Sequence, residues 1–303
     1  MSMTKPFYPN YPVIRGNFVL AGYEPDGDSV RFIADDPSLY NHLHRHYRIN
    51  LSPKDGSVQL RFEGVDATEL HYGAAAQPLG ADARDALLSW MGFSGIKYAG
   101  SNSTKVVSST PAKIVGGILS LAAEANGRPV SYVLLKKDLA AGDTVRVDEA
   151  LLQKTLNYRL LETGMAYYTV YTSMPTAHRD VFRALALTAR SSRKGVWPVD
   201  KSSDFVLDNQ KSIGPTGQCI LPKLFRRCTD YLKAVDQGFA GNLADWMVSV
   251  STSPSRNEND RVVVLNAQDP SKSVEVNFAD LIDQRNRTIA LQGDLLDLVF
   301  VEK

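Results

Sequence analysis

The chain has 303 residues, of which 44% are hydrophobic and 22% are charged, with 34 basic residues against 33 acidic ones. This composition excludes a disordered chain, because enough apolar residues are present to build a core. The balanced charge also excludes a polybasic surface over the whole molecule, so any site for nucleic acid must be local. The length exceeds the usual size of one domain and predicts two units.

The N-terminus and the cysteines set two further limits. The first nine residues lack the apolar run of a signal peptide, and no stretch approaches the roughly 18 apolar residues of a membrane span. We therefore expect a cytoplasmic protein without a membrane span, and leave open an exported form whose leader has been removed. Cys219 and Cys228 are too few for a disulfide framework and lack zinc-site spacing, so we expect buried free thiols.

The first part of the chain predicts two β-hairpins separated by a short helix. Apolar residues alternate through residues 17–33 on both sides of a Pro-Asp-Gly turn, which is typical of paired strands. Asp36-Pro37 is a capping pair that predicts a helix up to His46. Residues 47–51 and 58–65 flank a Pro-Lys-Asp-Gly turn and predict the second hairpin.

The middle of the chain predicts a helix, an excursion and a third hairpin. The helix covers residues 81–91, and the Gly-, Ser- and Thr-rich residues 92–111 indicate a surface insertion. Two apolar strands at 113–122 and 130–136 are joined by an Asn-Gly turn.

The remaining elements divide the chain in two. Leucine spacing predicts amphipathic helices over 148–162 and 176–193, and Trp197-Pro198 ends this block. About five strands followed by helices fit a small closed Greek-key barrel capped by helices. Residues 201–303 begin with a linker-like run and contain a predicted helix at 221–237 and strands at 261–265 and 273–278, so we expect a second, smaller unit there.

Three short charged motifs occur in a fixed order. Residues 26–30 are Asp-Gly-Asp-Ser-Val, residues 61–69 are Arg-Phe-Glu-Gly-Val-Asp-Ala-Thr-Glu, and residues 126–128 are Asn-Gly-Arg. Residues 164–168, Gly-Met-Ala-Tyr-Tyr, and residues 194–197, Lys-Gly-Val-Trp, follow them. Each motif alone is weak evidence, since Asp and Gly are ordinary turn residues. Together and in this order they resemble the staphylococcal thermonuclease family.

The resemblance covers residues 13–200 and implies a fold. It implies a β-rich α+β domain with a five-stranded, OB-like β-barrel capped by helices, and an appended C-terminal module at 201–303. The gaps between motifs are long for the family, which predicts insertions near residues 35–56 and 73–111. It also implies an enzyme, a nuclease that hydrolyses phosphodiester bonds of DNA, with RNA left open as a second substrate.

The family's functional residues carry over onto six positions. The resemblance implies Asp28, Asp66 and the backbone carbonyl of Ala67 as calcium ligands, with Mg²⁺ and Mn²⁺ left open as alternatives; oxygen ligands of this kind suit a hard divalent cation. It implies Glu69 as the general base or water-orienting carboxylate. The remaining carry-over is Arg61 and Arg128 as the phosphate clamp. Apart from the resemblance, Tyr168 and Tyr171 are candidate substrate-binding aromatics that could stack a base, with a place in the core or at its rim left open as the alternative.

These residue types suit the chemistry. Attack on a phosphodiester builds negative charge on the phosphoryl oxygens, which a cation and the bidentate forks of arginine stabilise. Arg61 and Asp66 would lie on opposite faces of a regular strand, so we expect Gly64 to mark a bend that brings both to the site. Thr68 stands where the family has proline, which predicts a less rigid loop before Glu69.

Several alternatives stay open from the sequence. A catalytically silent nucleic-acid-binding or scaffold protein on the same fold would keep the barrel, although it would have no need of Asp28 or Glu69. His42, His44 and His46 could suggest a metal cluster, but no acidic ligand accompanies them at fixed spacing, and a surface role is favoured. Residues 201–303 are expected to dock a protein partner, mediate self-association, gate the cleft or simply support the barrel.

Overall fold

The computed structural model describes residues 6–101, 103–139, 142–251, 260–266 and 268–302. The strands in these ranges are β1 Asn10–Val19, β2 Arg31–Ala34, β3 Val58–Gln59, β4 Arg61–Phe62, β5 Val65–Ala67, β6 Ser94–Tyr98, β7 Val106–Thr110, β8 Lys113–Ala123, β9 Pro129–Leu135, β10 Thr144–Arg146, β11 Ala166–Tyr168, β12 Val170–Tyr171, β13 Phe205–Val206, β14 Arg261–Val264, β15 Val274–Asn277, β16 Ile282–Arg285, β17 Thr288–Leu291 and β18 Leu298–Phe300. The α-helices are α1 Gly80–Met91, α2 Glu149–Leu152, α3 Leu156–Thr163, α4 Thr176–Ser191, α5 Pro222–Asp236 and α6 Leu243–Ser251.

The main sheet has the strand order β3-β2-β1-β8-β9-β4, and β10 pairs with β1. Strands β3 and β4 are consecutive in the chain, separated by Leu60 alone, yet they lie at opposite ends of this order. One short segment therefore pairs with both edges, β2 on one side and β9 on the other. A sheet whose two edges meet on one segment must curl, which is how a barrel removes its edges. The expected OB-like barrel is confirmed, with β3 and β4 acting as one of its five strands.

Several predicted elements are confirmed. β1 and β2 form the first hairpin, and β8 and β9 form the hairpin with the Asn-Gly turn. Helices α1, α4 and α5 lie within two residues of the predicted bounds. The short helix predicted from Asp36-Pro37 to His46 is a 3₁₀ helix that ends earlier, Pro37–His42, and in it the Asp36 carboxylate accepts from the amide of Ser38.

The second predicted hairpin was wrong. Residues 49–52 form no strand, and Val58–Gln59 pairs with β2 instead. The predicted helix over 148–162 is two helices, because the side chain of Thr155 accepts from the amide of Tyr158 and starts α3 afresh. The expected excursion at 92–111 contains the exposed hairpin β6–β7.

The described residues after 200 pack against the part of the chain that contains the barrel. Strand β12 pairs in parallel with β18 near the C-terminus, with Tyr171 opposite Phe300. Buried apolar side chains from both halves, such as Phe18 and Phe278, belong to one continuous cluster. The division into units at 13–200 and 201–303 stays a prediction.

Candidate active site

A cleft of about 660 Å³ lies where the first hairpin turn, the β4–β5 segment and α5 meet. Of the eight positions proposed from the sequence, six line this cleft: Asp28, Arg61, Asp66, Glu69, Arg128 and Tyr171. They come from four separate segments of the chain. The structure therefore brings most of the predicted residues together in one concave surface, the usual form of a small polar site.

Gly64 provides the bend that places Arg61 and Asp66 on the same cleft. Its φ of +76° lies in the left-handed region, which glycine adopts without steric cost. A Cβ at this position would lie 2.7 Å from the ring of Phe182, so a side chain is excluded on packing grounds as well. The bend expected between Arg61 and Asp66 is confirmed.

Asp28 and Asp66 form an acidic pair. Burial and the neighbouring charge of Asp66 raise the pKa of Asp28, although Arg61 lowers it. Burial would also raise the pKa of Asp66, but Arg226 and Arg61 outweigh it and hold that pKa below its usual value. The Oδ2 atom of Asp28 accepts a 3.1 Å hydrogen bond from the amide of Ala67. The surroundings therefore favour the ionised form of Asp66 and disfavour that of Asp28.

The loop that carries Glu69 is held from two sides, by Asp26 of the first motif and by Gln77, which the motifs did not reveal. The amide of Glu69 donates to Gln77 Oε1 at 3.0 Å, and the amide of Leu70 donates to Asp26 Oδ1 at 3.3 Å. Both acceptors are buried. These hydrogen bonds hold the loop in place although Thr68 replaces proline. Burial raises the pKa of Glu69 despite the opposing effect of Arg226.

Arg61 faces the cleft beside Tyr171. Its guanidinium carbon is 5.5 Å from the centre of the Tyr171 ring, a cation–π distance. Burial lowers the pKa of Arg61, but Tyr171, Asp66 and Asp28 raise it by more than burial lowers it, so the guanidinium stays charged. The pKa of Tyr171 is lowered, because Lys223 and Arg61 outweigh the effect of burial.

Arg128 is positioned by Glu124, a second residue that the motifs did not reveal. The Nε atom of Arg128 donates to Glu124 Oε1 at 3.0 Å, and the amide of Asn126 donates to the same oxygen at 3.1 Å. Gly127 has a φ of +80°, and a Cβ there would lie 2.2 Å from the carbonyl oxygen of Arg48. The turn and the carboxylate together fix the direction of the arginine.

Arg226, on α5, reaches into the acidic part of the cleft. Its Nη1 and Nη2 atoms donate to the two carboxylate oxygens of Asp66 at 3.3 and 2.8 Å, and Nη1 also forms an ion pair with Glu69. Burial lowers the pKa of Arg226, but Asp66 and Glu69 raise it well above its usual value. A third guanidinium therefore contacts two of the residues proposed for catalysis.

Residues 59–199 match the family model described as staphylococcal nuclease homologue. This chain carries a staphylococcal nuclease homologue domain. The matched residues include Arg61, Asp66, Glu69 and Arg128, whereas Asp28 lies before them and Arg226 after them. No curated protein matches the chain.

The polar stripe of α5 faces the nuclease homologue domain across the cleft. Arg226, Arg227 and Asp230 follow Lys223 by three, four and seven residues, so the four side chains share one face of the helix. Lys223 and Arg227 both pair with Asp260, and Asp230 accepts a 2.6 Å hydrogen bond from Tyr72. Only Arg226 of this stripe is recorded in an ion pair with Asp66 or Glu69 within the described ranges.

The structure does not bring Tyr168 to the cleft. Its side chain is 2% exposed, its hydroxyl lies 3.5 Å from the carbonyl oxygen of Arg179, and it is absent from the cleft wall. The expectation that it binds substrate is corrected, because a ring enclosed on all sides cannot stack on a base. Ala67 does not line the cleft either, although its amide contacts Asp28.

The carboxylate oxygens of Asp28 and Asp66 are the candidate donors for a divalent cation. In the ranges that the structure describes, no group of three or more His, Cys, Asp or Glu side chains is arranged to hold a metal ion. The buried Asp66 and the half-buried Asp28 nevertheless supply carboxylate oxygens whose charges affect one another, and such oxygens are what a hard cation binds. The pair therefore offers the type of donor atom that a divalent cation binds. Both oxygens of Asp66 also accept hydrogen bonds from Arg226.

The structure also bears on two other predictions. Cys219 and Cys228 are buried and unpaired, as expected, and burial raises the pKa of the Cys219 thiol to about 11. Among the described residues, no helix combines the length and the apolar character that crossing a membrane would require.

Proposed function

We propose that this protein is a phosphodiesterase that cleaves nucleic acid in the cleft between the barrel and α5. One observation carries the proposal: two arginines, an acidic pair and a third carboxylate from separate segments line the same cleft. A nuclease homologue domain covers most of these residues. DNA is the proposed substrate, with RNA as a second polymer to be tested.

Glu69 is the proposed base. It would accept the proton of the attacking water, and its raised pKa, caused by burial, makes it a stronger proton acceptor than an exposed glutamate. Arg61 and Arg128 would bind the phosphate oxygens as charge develops on them. Arg61 suits this role because no carboxylate of the described ranges lies within ion-pair distance of it, which leaves its guanidinium available to a phosphate.

Asp28 and Asp66 would hold a divalent cation, with Ca²⁺ proposed first and Mg²⁺ and Mn²⁺ as alternatives. When bound, the cation would polarise a phosphate oxygen. Tyr171, next to Arg61, is the proposed aromatic contact for the substrate, because its half-buried ring lines the cleft.

One observation favours a second candidate function, a nucleic-acid-binding protein without turnover. Arg226 forms ion pairs with both Asp66 and Glu69, and a base held by a guanidinium is a poorer proton acceptor. The basic residues of the cleft would still bind phosphates in that state.

Cleavage of labelled single- and double-stranded DNA and of RNA tests the proposal, with Ca²⁺, Mg²⁺, Mn²⁺ or EDTA. We expect cation-dependent cleavage that EDTA abolishes and that falls by a factor on the order of 10²–10⁴ in Glu69→Gln. Glu149→Gln, an exposed acid on α2, is the matched control and should cleave normally. Binding without turnover under every condition would overturn the nuclease in favour of the second candidate.

A further inference from the structure

Arg226 contacts Asp66, one of the two carboxylates proposed to hold a cation. Its two Nη atoms contact both carboxylate oxygens of Asp66, and Nη1 bridges to Glu69. We infer that Arg226 is a resident cation of this site, and that a divalent ion binds Asp66 only by displacing Arg226 from it. This inference rests on the cation site of the proposed function, and it adds a positioning residue from outside the matched domain.

The first step of the argument concerns charge. The side chains of Asp66 and Glu69 are only 3% and 13% exposed. Buried ionised carboxylates without a partner are strongly destabilising, so a positive charge beside them stabilises the folded protein. Arg61 lies nearby but makes no recorded ion pair with either carboxylate. Arg226 is the residue whose fork is in place to compensate both.

The second step concerns the shared ligand atoms. A hard cation coordinates the carboxylate oxygens themselves, and both oxygens of Asp66 already accept N–H groups of Arg226. A guanidinium and a divalent ion on the same oxygens would also repel each other at a few ångströms in a poorly solvated site. The two cations therefore exclude one another at Asp66.

The third step concerns what can move. Leu224, Phe225 and Cys228, on the opposite side of α5, are fully buried. The chain just before α5 is tied down, because Gln77 Nε2 donates to the carbonyl oxygen of Ile220 at 2.7 Å. Departure of the whole helix would expose this core, so the exchange must occur by rotation of the long Arg226 side chain. The cleft provides the space for it.

Titration of the protein with Ca²⁺, and with Tb³⁺ as a luminescent probe, tests the exchange without reference to activity. We expect Arg226→Gln to bind either ion more tightly than the wild type, by a factor on the order of ten to a hundred. Asp66→Asn in the Arg226→Gln background should remove the gain, because the gain depends on the oxygens that Arg226 vacates. Arg226→Lys, which keeps the charge without the fork, should fall between the wild type and Arg226→Gln.

Arg227→Gln is the matched control. It removes one positive charge from the same helix face, but its partner is Asp260 and not the acidic pair. Removal of charge alone would tighten ion binding similarly in both variants, whereas exchange at Asp66 predicts a much larger effect in Arg226→Gln. Equal gains, no gain or weaker ion binding in Arg226→Gln would each overturn the inference.

Thermal unfolding provides a second readout, which also tests the inference if Arg226→Gln is only marginally stable. In EDTA, Arg226→Gln should unfold at a lower temperature than the wild type, and Ca²⁺ should restore most of the loss while leaving the wild type nearly unchanged. Failure of Ca²⁺ to restore Arg226→Gln, with Arg226→Lys also binding no tighter than wild type, would overturn the inference. If Arg226→Gln binds the ion more tightly than the wild type but the protein cleaves no nucleic acid, the proposed nuclease alone is refuted. If the protein shows ion-dependent cleavage but Arg226→Gln has the ion affinity of the wild type, the inference alone is refuted.

Discussion

The buried side chain of Gln77 links Glu69 to the segment that carries Arg226. Its Oε1 atom accepts from the amide of Glu69 at 3.0 Å, and its Nε2 atom donates to the carbonyl oxygen of Ile220 at 2.7 Å. Ile220 immediately precedes Leu221, the N-cap of α5. The carboxylate and the arginine that meet in the cleft are thus held through one amide side chain as well as through their own ion pair.

We expect Gln77→Met to destabilise the protein and to disturb the site. Methionine has a similar length but bonds neither the amide of Glu69 nor the carbonyl of Ile220, so two buried backbone groups lose their partner. The free energy of unfolding should fall by about 1–3 kcal/mol, measured by urea denaturation. Gln153→Met, at an exposed position after α2, is the control. An unchanged midpoint for Gln77→Met would show that the link is dispensable.

We expect Glu124 to control phosphate binding through Arg128. Glu124→Ala removes the acceptor of the Arg128 Nε bond and of the turn amide, so the arginine loses its direction. Oligonucleotide affinity, measured by fluorescence anisotropy in the Glu69→Gln background, should fall by about tenfold.

Glu124→Gln keeps an oxygen acceptor and should lose less affinity than Glu124→Ala. The comparison separates positioning from simple charge. If removal of the acidic charge were what mattered, both variants would bind the polyanion more tightly than the wild type, and the positioning role of Glu124 would be refuted.

The stability of the protein should depend on pH through Glu63. Burial raises the pKa of this carboxyl to about 7 from its usual 4.5, with Arg61 opposing and Glu302 adding to the shift. The folded state therefore holds a proton that the unfolded chain releases, and the stability linked to that proton is lost as pH rises from about 4.5 through about 7.

Glu63→Gln removes this loss. Denaturant unfolding at several pH values should give equal stability for variant and wild type near pH 4.5. Above about pH 7 the variant should be more stable, by up to the order of 3 kcal/mol. A constant difference between the two proteins across this range would contradict the assignment.

Local patterns predicted the parts of the fold that depend on local interactions. The Asn-Gly turn between β8 and β9 and the apolar face of α4 carry their own signals, so both were located from the sequence. β3 and β4 could not be recognised separately, since each is two residues long and each pairs with a different distant strand. The break at Thr155 was missed because leucine periodicity continues across it.

The residues of the site also divide into those that local motifs predict and those that only the packing of distant segments reveals. The ordered motifs predicted Asp28, Arg61, Asp66 and Glu69 as cleft residues, because a family resemblance preserves chain order. Arg226 lies 157 residues from Glu69 along the chain, and it belongs to a polar helix face that resembles any solvated face. Only the packing of α5 against the domain shows that this face is turned toward the carboxylates.

The packing predicts that a chain ending at residue 200 will not fold cooperatively. Removal of residues 201–303 takes away β18, the parallel partner of β12, and with it Phe300 opposite Tyr171. It also removes Asp294, which forms a bidentate pair with Arg190 of α4. These losses would expose apolar side chains that lie in one continuous core in the full chain, and exposed apolar patches favour aggregation.

Calorimetry and circular dichroism on residues 1–200 and on the full chain check this expectation. The full chain should show one cooperative transition, while the shortened chain should show a broad transition or aggregate. Arg190→Ala in the full chain is the milder control, since it removes one ion pair and leaves the core covered, and it should keep the single transition. A shortened chain with a sharp transition and wild-type cleavage would instead show that residues 201–303 are a separable module, and that neither α5 nor Arg226 is needed to build the site.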